Sequence, residues 1–140
     1  MNDRPSAAEL IAATRHFLEV ELIPTLTDPR LRFQTLVATN VLSIAERELA
    51  TEEEQLREEW QRLGELGESR DAMPERLAPL RQAVRRQQEQ LCRQTRRGEF
   101  DEPARFRALC RLLRQNVERK LEVANPRYLA GFQPNRPGSV

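Results

Sequence analysis

The sequence predicts an all-α fold: an up-and-down bundle of about four long helices followed by an extended C-terminal tail. Three observations carry this. Apolar residues recur at spacings of three and four over most of the chain, start and stop signals divide it into four such stretches, and 39% hydrophobic, 5% aromatic and 32% charged residues suit long amphipathic helices with a thin core. The expected boundaries are a single helical-bundle domain over 1–132 and a flexible tail over 133–140, where Pro134, Pro137 and Gly138 leave little to bury.

Helix one opens on Ser6-Ala7-Ala8-Glu9, a capping box, and runs to about Ile23. Leu10, Ile11, Thr14, Phe17, Leu18 and Leu22 share its apolar face, with Glu21 in the middle. Asp28-Pro29 starts helix two, whose stripe is Phe33, Leu36, Val37, Val41 and Ile44, with Asn40 and Arg47 on the same side. Beyond Leu49 the stripe shifts to Leu56, Trp60 and Leu63, and Thr51-Glu52-Glu53-Glu54 offers a second capping box, so one helix with a bend near Ala50 is expected. Gly64 to Pro74 reads as a loop.

Helix three starts near Pro74 or Pro79 and places Leu77, Leu80, Val84, Leu91 and Thr95 near heptad spacing, with Gly98 as its stop. Helix four begins at Asp101-Glu102-Pro103, a cap followed by a first-turn proline, and its stripe is Phe106, Leu109, Cys110, Leu113, Val117, Leu121 and Ala124. Pro126 disfavours helix at Asn125, so an extended segment is expected there, anchored by Tyr128, Leu129 and Phe132. Seven acids lie between Glu46 and Glu59 and six arginines between Arg81 and Arg97, which predicts these two stretches side by side and antiparallel.

A formal net charge of +1 supplies no global field for nucleic acid, and no apolar run is long enough to span a membrane. The amino terminus lacks the pattern of a signal peptide, so a cytoplasmic protein is expected. Cys92 and Cys110 lie apart from each other and from any histidine cluster, so they are expected as reduced helix-packing residues, and no metal or cofactor is indicated. No phosphate loop, metalloprotease or nucleophile-elbow motif is present, and His16 lies on a polar helix side, so a catalytic reading starts poor.

Two candidate surfaces remain. Glu21, Asn40, Arg47, Asn116 and Lys120 are polar residues set in or beside apolar stripes; if they converge, the basic pair suits an anionic ligand or an acidic residue of a partner, as in a small-molecule binding protein or an enzyme. Asn125, Arg127, Tyr128, Leu129 and Phe132 form an anchor-bearing segment suited to a protein partner. A homodimer would be natural if Trp60, Leu63 or Phe132 were exposed.

The runs Arg4-Pro5-Ser6-Ala7-Ala8-Glu9-Leu10, Asn40-Val41-Leu42-Ser43-Ile44-Ala45-Glu46-Arg47-Glu48, Arg97-Gly98-Glu99-Phe100-Asp101 and Lys120-Leu121-Glu122-Val123-Ala124-Asn125-Pro126-Arg127-Tyr128-Leu129 resemble a bacterial family of small helical proteins of unknown function. Members are often encoded beside aminoglycoside-phosphotransferase-like kinases and acyl-CoA dehydrogenases. The resemblance implies an accessory role in acyl-CoA metabolism, with a phosphotransferase-like or acyl-CoA-dehydrogenase-like partner, and assigns no catalytic residue.

Overall fold

Ser6 and Glu9 close the expected capping box: the Ser6 amide donates to Glu9 Oε2 at 2.7 Å and the Glu9 amide to Ser6 Oγ at 3.3 Å. The computed structural model describes residues 4–132, so the tail expected over 133–140 lies outside the described residues. Within them the chain is all-α, with helices α1 (Ala7–Phe17), α2 (Pro29–Gly67), α3 (Leu77–Arg96), α4 (Pro103–Ala124) and a short α5 (Pro126–Phe132). Helix one does not end at Phe17; it widens into a π turn, Leu18–Leu22, and tightens into a 3-10 turn, Ile23–Thr25. Glu21 lies in that π turn and is exposed.

The chain divides into two compact units, Met1–Thr51 and Glu52–Val140. In the first, α1 and the opening half of α2 form a hairpin in which Arg15 bonds Glu46 at 3.0 Å and Ile23 and Thr39 are buried. Asp28 caps α2 by accepting from the Arg30 amide at 2.9 Å. The stripe expected to be buried on this half is instead open: Phe33 is 66% exposed and Val41 57%, with Leu36 and Val37 also exposed. The periodicity identified a stripe correctly, but the face toward α1 is the one holding Thr39 and Glu46.

α2 is one helix through Ala50. The second capping box does not form, because the Thr51 hydroxyl donates to the Arg47 carbonyl inside the continuing helix, at 2.9 Å.

In the second unit the end of α2, α3 and α4 enclose Trp60, Leu63, Leu80, Ala83, Val84 and Leu112. Trp60 and Leu63 are core residues, so neither supplies the exposed patch considered for a dimer. Charge does place α2 beside α3, through Arg81 to Glu52 and Gln88 to Glu59. Residue numbers rise together along both helices, however, so the two run parallel rather than antiparallel. The segment between them makes the return: Met73 and the Glu75 carbonyl both meet Arg57. The up-and-down alternation is thus interrupted between α2 and α3, and it resumes with α4, where Arg119 reaches Glu58 and Asn116 reaches Glu59 and Arg62.

Two helix ends share one geometry. At Gly98 (φ 78°) the Glu99 amide donates to the Gln94 carbonyl at 3.2 Å and the Gly98 amide to Thr95 at 3.1 Å, the Schellman pattern. The same pair of bonds closes α2 at Glu68 (φ 53°), from Ser69 to Gly64 and from Glu68 to Glu65. At the start of α4 the cap is Glu102, one residue later than expected; its carboxylate accepts from the Ala104 and Arg105 amides. Phe100, almost fully buried, packs under the Arg105 guanidinium, 5.0 Å from its ring centre.

Candidate functional site

α4 turns a narrower face inward than its stripe suggests. Leu109 and Leu112 are buried, while Phe106, Cys110, Leu113 and Val117 are exposed and Leu121 is half-buried. Leu112, absent from the expected stripe, is the α4 residue in the main core cluster. The buried side lies roughly a quarter-turn from the predicted one. The reason is visible in what α4 meets: Asn116 and Arg119, on the inward side, bond carboxylates of α2, so polar contacts occupy positions that a purely apolar stripe would have filled. Cys92 and Cys110 are both exposed free thiols, not packing residues.

The outward stripe becomes one wall of a groove because the chain turns back after α4. Asn125 leaves helical geometry (φ −155°, ψ 73°), as the following proline requires, but the segment beyond is helical rather than extended. Pro126 fits a first helical position, and the Asn125 carboxamide accepts from the Tyr128 amide at 3.1 Å, so Asn-Pro ends one helix and caps the next. Leu113, Val117, Leu121, Tyr128 and Leu129 line a cavity of about 330 Å³, nearly all apolar, with the Arg114–Glu118 ion pair (3.1 Å) at its rim. Tyr128 is 56% exposed. Of the five residues expected to meet a partner, Tyr128 and Leu129 enter this groove and Asn125 shapes it; Arg127 is exposed on α5, and Phe132 ends that helix.

The other five candidates fall in both units. Glu21 and Asn40 are exposed in the first, and Arg47 donates to Ser43 Oγ at 2.7 Å. In the second, Lys120 is exposed and Asn116 is half-buried. Asn116 joins a network that the sequence reading missed: its amide donates to Glu59 Oε1 at 2.9 Å and accepts from Arg62 at 3.2 Å, while Gln88 from α3 reaches the same Glu59 oxygen at 2.6 Å. Arg119 pairs with Glu122 and Glu58, and Glu122 foremost, with Glu58 behind it, pushes its guanidinium pKa up. The only signal for this network was Asn116 at a stripe edge, since its partners sit on helix faces that read as solvated.

Among the described residues no helix is long and apolar enough to cross a membrane, and no group of three or more His, Cys, Asp or Glu is placed to hold a metal ion. No curated protein and no solved structure matches the chain. One family model does, over residues 24–128, most of the sequence and all of α2, α3 and α4; the chain belongs to the family described as a domain of unknown function, DUF6285.

Proposed function

We propose that this protein is a non-catalytic helical interaction module that receives an apolar helix face of a protein partner in the α4–α5 groove. The observation that carries it is the groove itself. Three aliphatic residues of α4 face an aromatic and an aliphatic residue of α5, and an ion pair at the rim could orient an incoming helix. The partners implied by the resemblance, phosphotransferase-like or acyl-CoA-dehydrogenase-like proteins, are the first to test. Val117→Asp and Tyr128→Ala, both at exposed positions, should each weaken capture of such a purified partner at least tenfold in a binding assay. Circular dichroism should stay unchanged. Binding that survives both substitutions would remove the groove from the account.

A small-molecule site is the second reading, and one observation favours it. Both polar atoms of the Gln87 amide are shielded from solvent and unpaired, beside a cavity of about 270 Å³ that Leu63, Ser69, Asp71 and Gln90 also line. Thermal-shift measurements against acyl-CoA thioesters, nucleotides and sugar phosphates test it. Stabilisation by a ligand, abolished by Gln87→Leu, is the expected result.

A further inference from the structure

Gln87 also lines a second, larger cavity, of about 630 Å³, between the last turns of α2, the segment that follows them and α3. Its walls differ in kind from those of the smaller one. Three carboxylates, Glu65, Glu68 and Asp71, stand against one cation, Arg70, and the Trp60 indole and Met73 thioether supply its apolar part. Asp71 accepts from the Ser69 hydroxyl at 3.1 Å, whereas the Glu65 and Glu68 carboxylates have no hydrogen-bond or ion-pair partner among the described residues. Acids alone would be an ordinary solvated rim. The orphaned Gln87 amide is an independent observation: a carbonyl oxygen and an amide nitrogen shielded from water without a protein partner carry a desolvation cost that a bound group can relieve.

From this we infer that the larger cavity binds a small organic cation, an alkylammonium or guanidinium group on a short hydrocarbon chain. The cation donates to the Glu65 and Glu68 carboxylates, in charge-assisted hydrogen bonds, and to the Gln87 carbonyl. Its hydrocarbon lies against Trp60 and Met73, and an indole face attracts a cation in its own right. The lining selects this class over the others. An anion would meet three carboxylates for one guanidinium, and a neutral apolar molecule would leave the Gln87 amide unpaired. The inference shares the Gln87 amide with the small-molecule reading above and rests on it, but it assigns the other cavity and the sign of the ligand's charge.

Trp60 is the only tryptophan, so the fluorescence of the full chain reports on this cavity. Titration with cadaverine and with agmatine should give a saturable change, and 1-pentanol, an uncharged analogue, should give none. N-acetyl-lysine methylamide, titrated in parallel, separates a free amine from a lysine side chain of another protein as the natural source; a response to either supports the proposal. Glu65→Gln, Glu68→Gly and Gln87→Leu should each raise the dissociation constant about tenfold, the loss of one charge-assisted bond. Glu68→Gly relieves a left-handed backbone (φ 53°), so weaker binding there arises in a chain at least as stable as the wild type and not through unfolding. No saturable response to any of the three cations by about 10 mM would overturn the proposal. So would an equal response to 1-pentanol, or one that the two carboxylate variants leave intact. A response lost only in Gln87→Leu would overturn it while leaving the small-molecule reading standing.

Discussion

Leu80 is fully buried among Trp60, Ala83, Val84 and Leu112, so truncating it removes contacts that nothing else can replace. Leu80→Ala should cost about 2–5 kcal/mol in urea unfolding, and a loss below about 1 kcal/mol would mean the site collapses freely. The twin helix ends give predictions of opposite sign. A β-carbon at Gly98 would meet the Asp101 carboxylate at 2.8 Å in a left-handed backbone, so Gly98→Ala should destabilise by about 1–2 kcal/mol. Glu68 already bears that left-handed penalty, so Glu68→Gly should stabilise by about 0.5–1 kcal/mol, the relief net of glycine's greater unfolded entropy. Gly98 was legible as a stop. Glu68 was not, because its glycine signals, Gly64 and Gly67, stand within the last turn of α2 and not at its left-handed position.

Helix starts determine how the elements respond to acid. Backbone donors at Ser6 for Glu9, and at Ala104 and Arg105 for Glu102, hold both carboxyls below the usual glutamate range; Arg81 does the same for Glu52 by its hydrogen bonds. A folded pKa below the unfolded one means the unfolded chain binds more protons, so the contribution is complete above the ordinary value of about 4.3 and is lost as pH falls through the lower folded values. Between pH 7 and pH 3 the midpoint of thermal unfolding should therefore fall less in Glu9→Gln/Glu102→Gln than in the wild type; parallel declines would show that the caps do not titrate. The two caps differ in legibility. Ser6-x-x-Glu9 is a spacing that forms wherever a helix begins, whereas Thr51-x-x-Glu54 carries the same spacing in mid-helix, where the hydroxyl bonds the preceding turn. Local sequence does not say which applies; the helix runs unbroken through Ala50. Ala50→Pro should accordingly cost about 3 kcal/mol or more, which an unbroken helix requires and a pre-existing break would not.

Across the molecule, the all-α class and the four long helices followed from periodicity, while the fifth helix and the surfaces did not. A stripe records that a side of a helix is apolar without naming what covers it. On α2 near Trp60 the cover is α3 and α4, on α4 it is partly α5, and on α2 around Phe33 the stripe is exposed. Tyr128 and Leu129 were identified as anchors from composition alone, but their groove depended on Asn125-Pro126 restarting a helix, which a rule about the residue before proline does not reveal. Asn116 should prove the most sensitive of the network residues. Asn116→Leu strips partners from Glu59 and Arg62 together and should cost about 1–3 kcal/mol, measured against Asn116→Ser as the milder change.

The parallel course of α2 and α3 has a consequence for how the chain tolerates editing. Residues 68–76 look dispensable, being non-helical and largely exposed, yet they must carry the backbone some 20–25 Å from the end of α2 to the level of Glu52. Nine residues reach about 30 Å at full stretch, and six only about 20 Å. This strap has a minimum length and no comparable maximum: removing Ser69 to Asp71 should prevent the second unit from folding, whereas doubling the segment with glycine and serine should cost only about 0.6 kcal/mol of closure entropy.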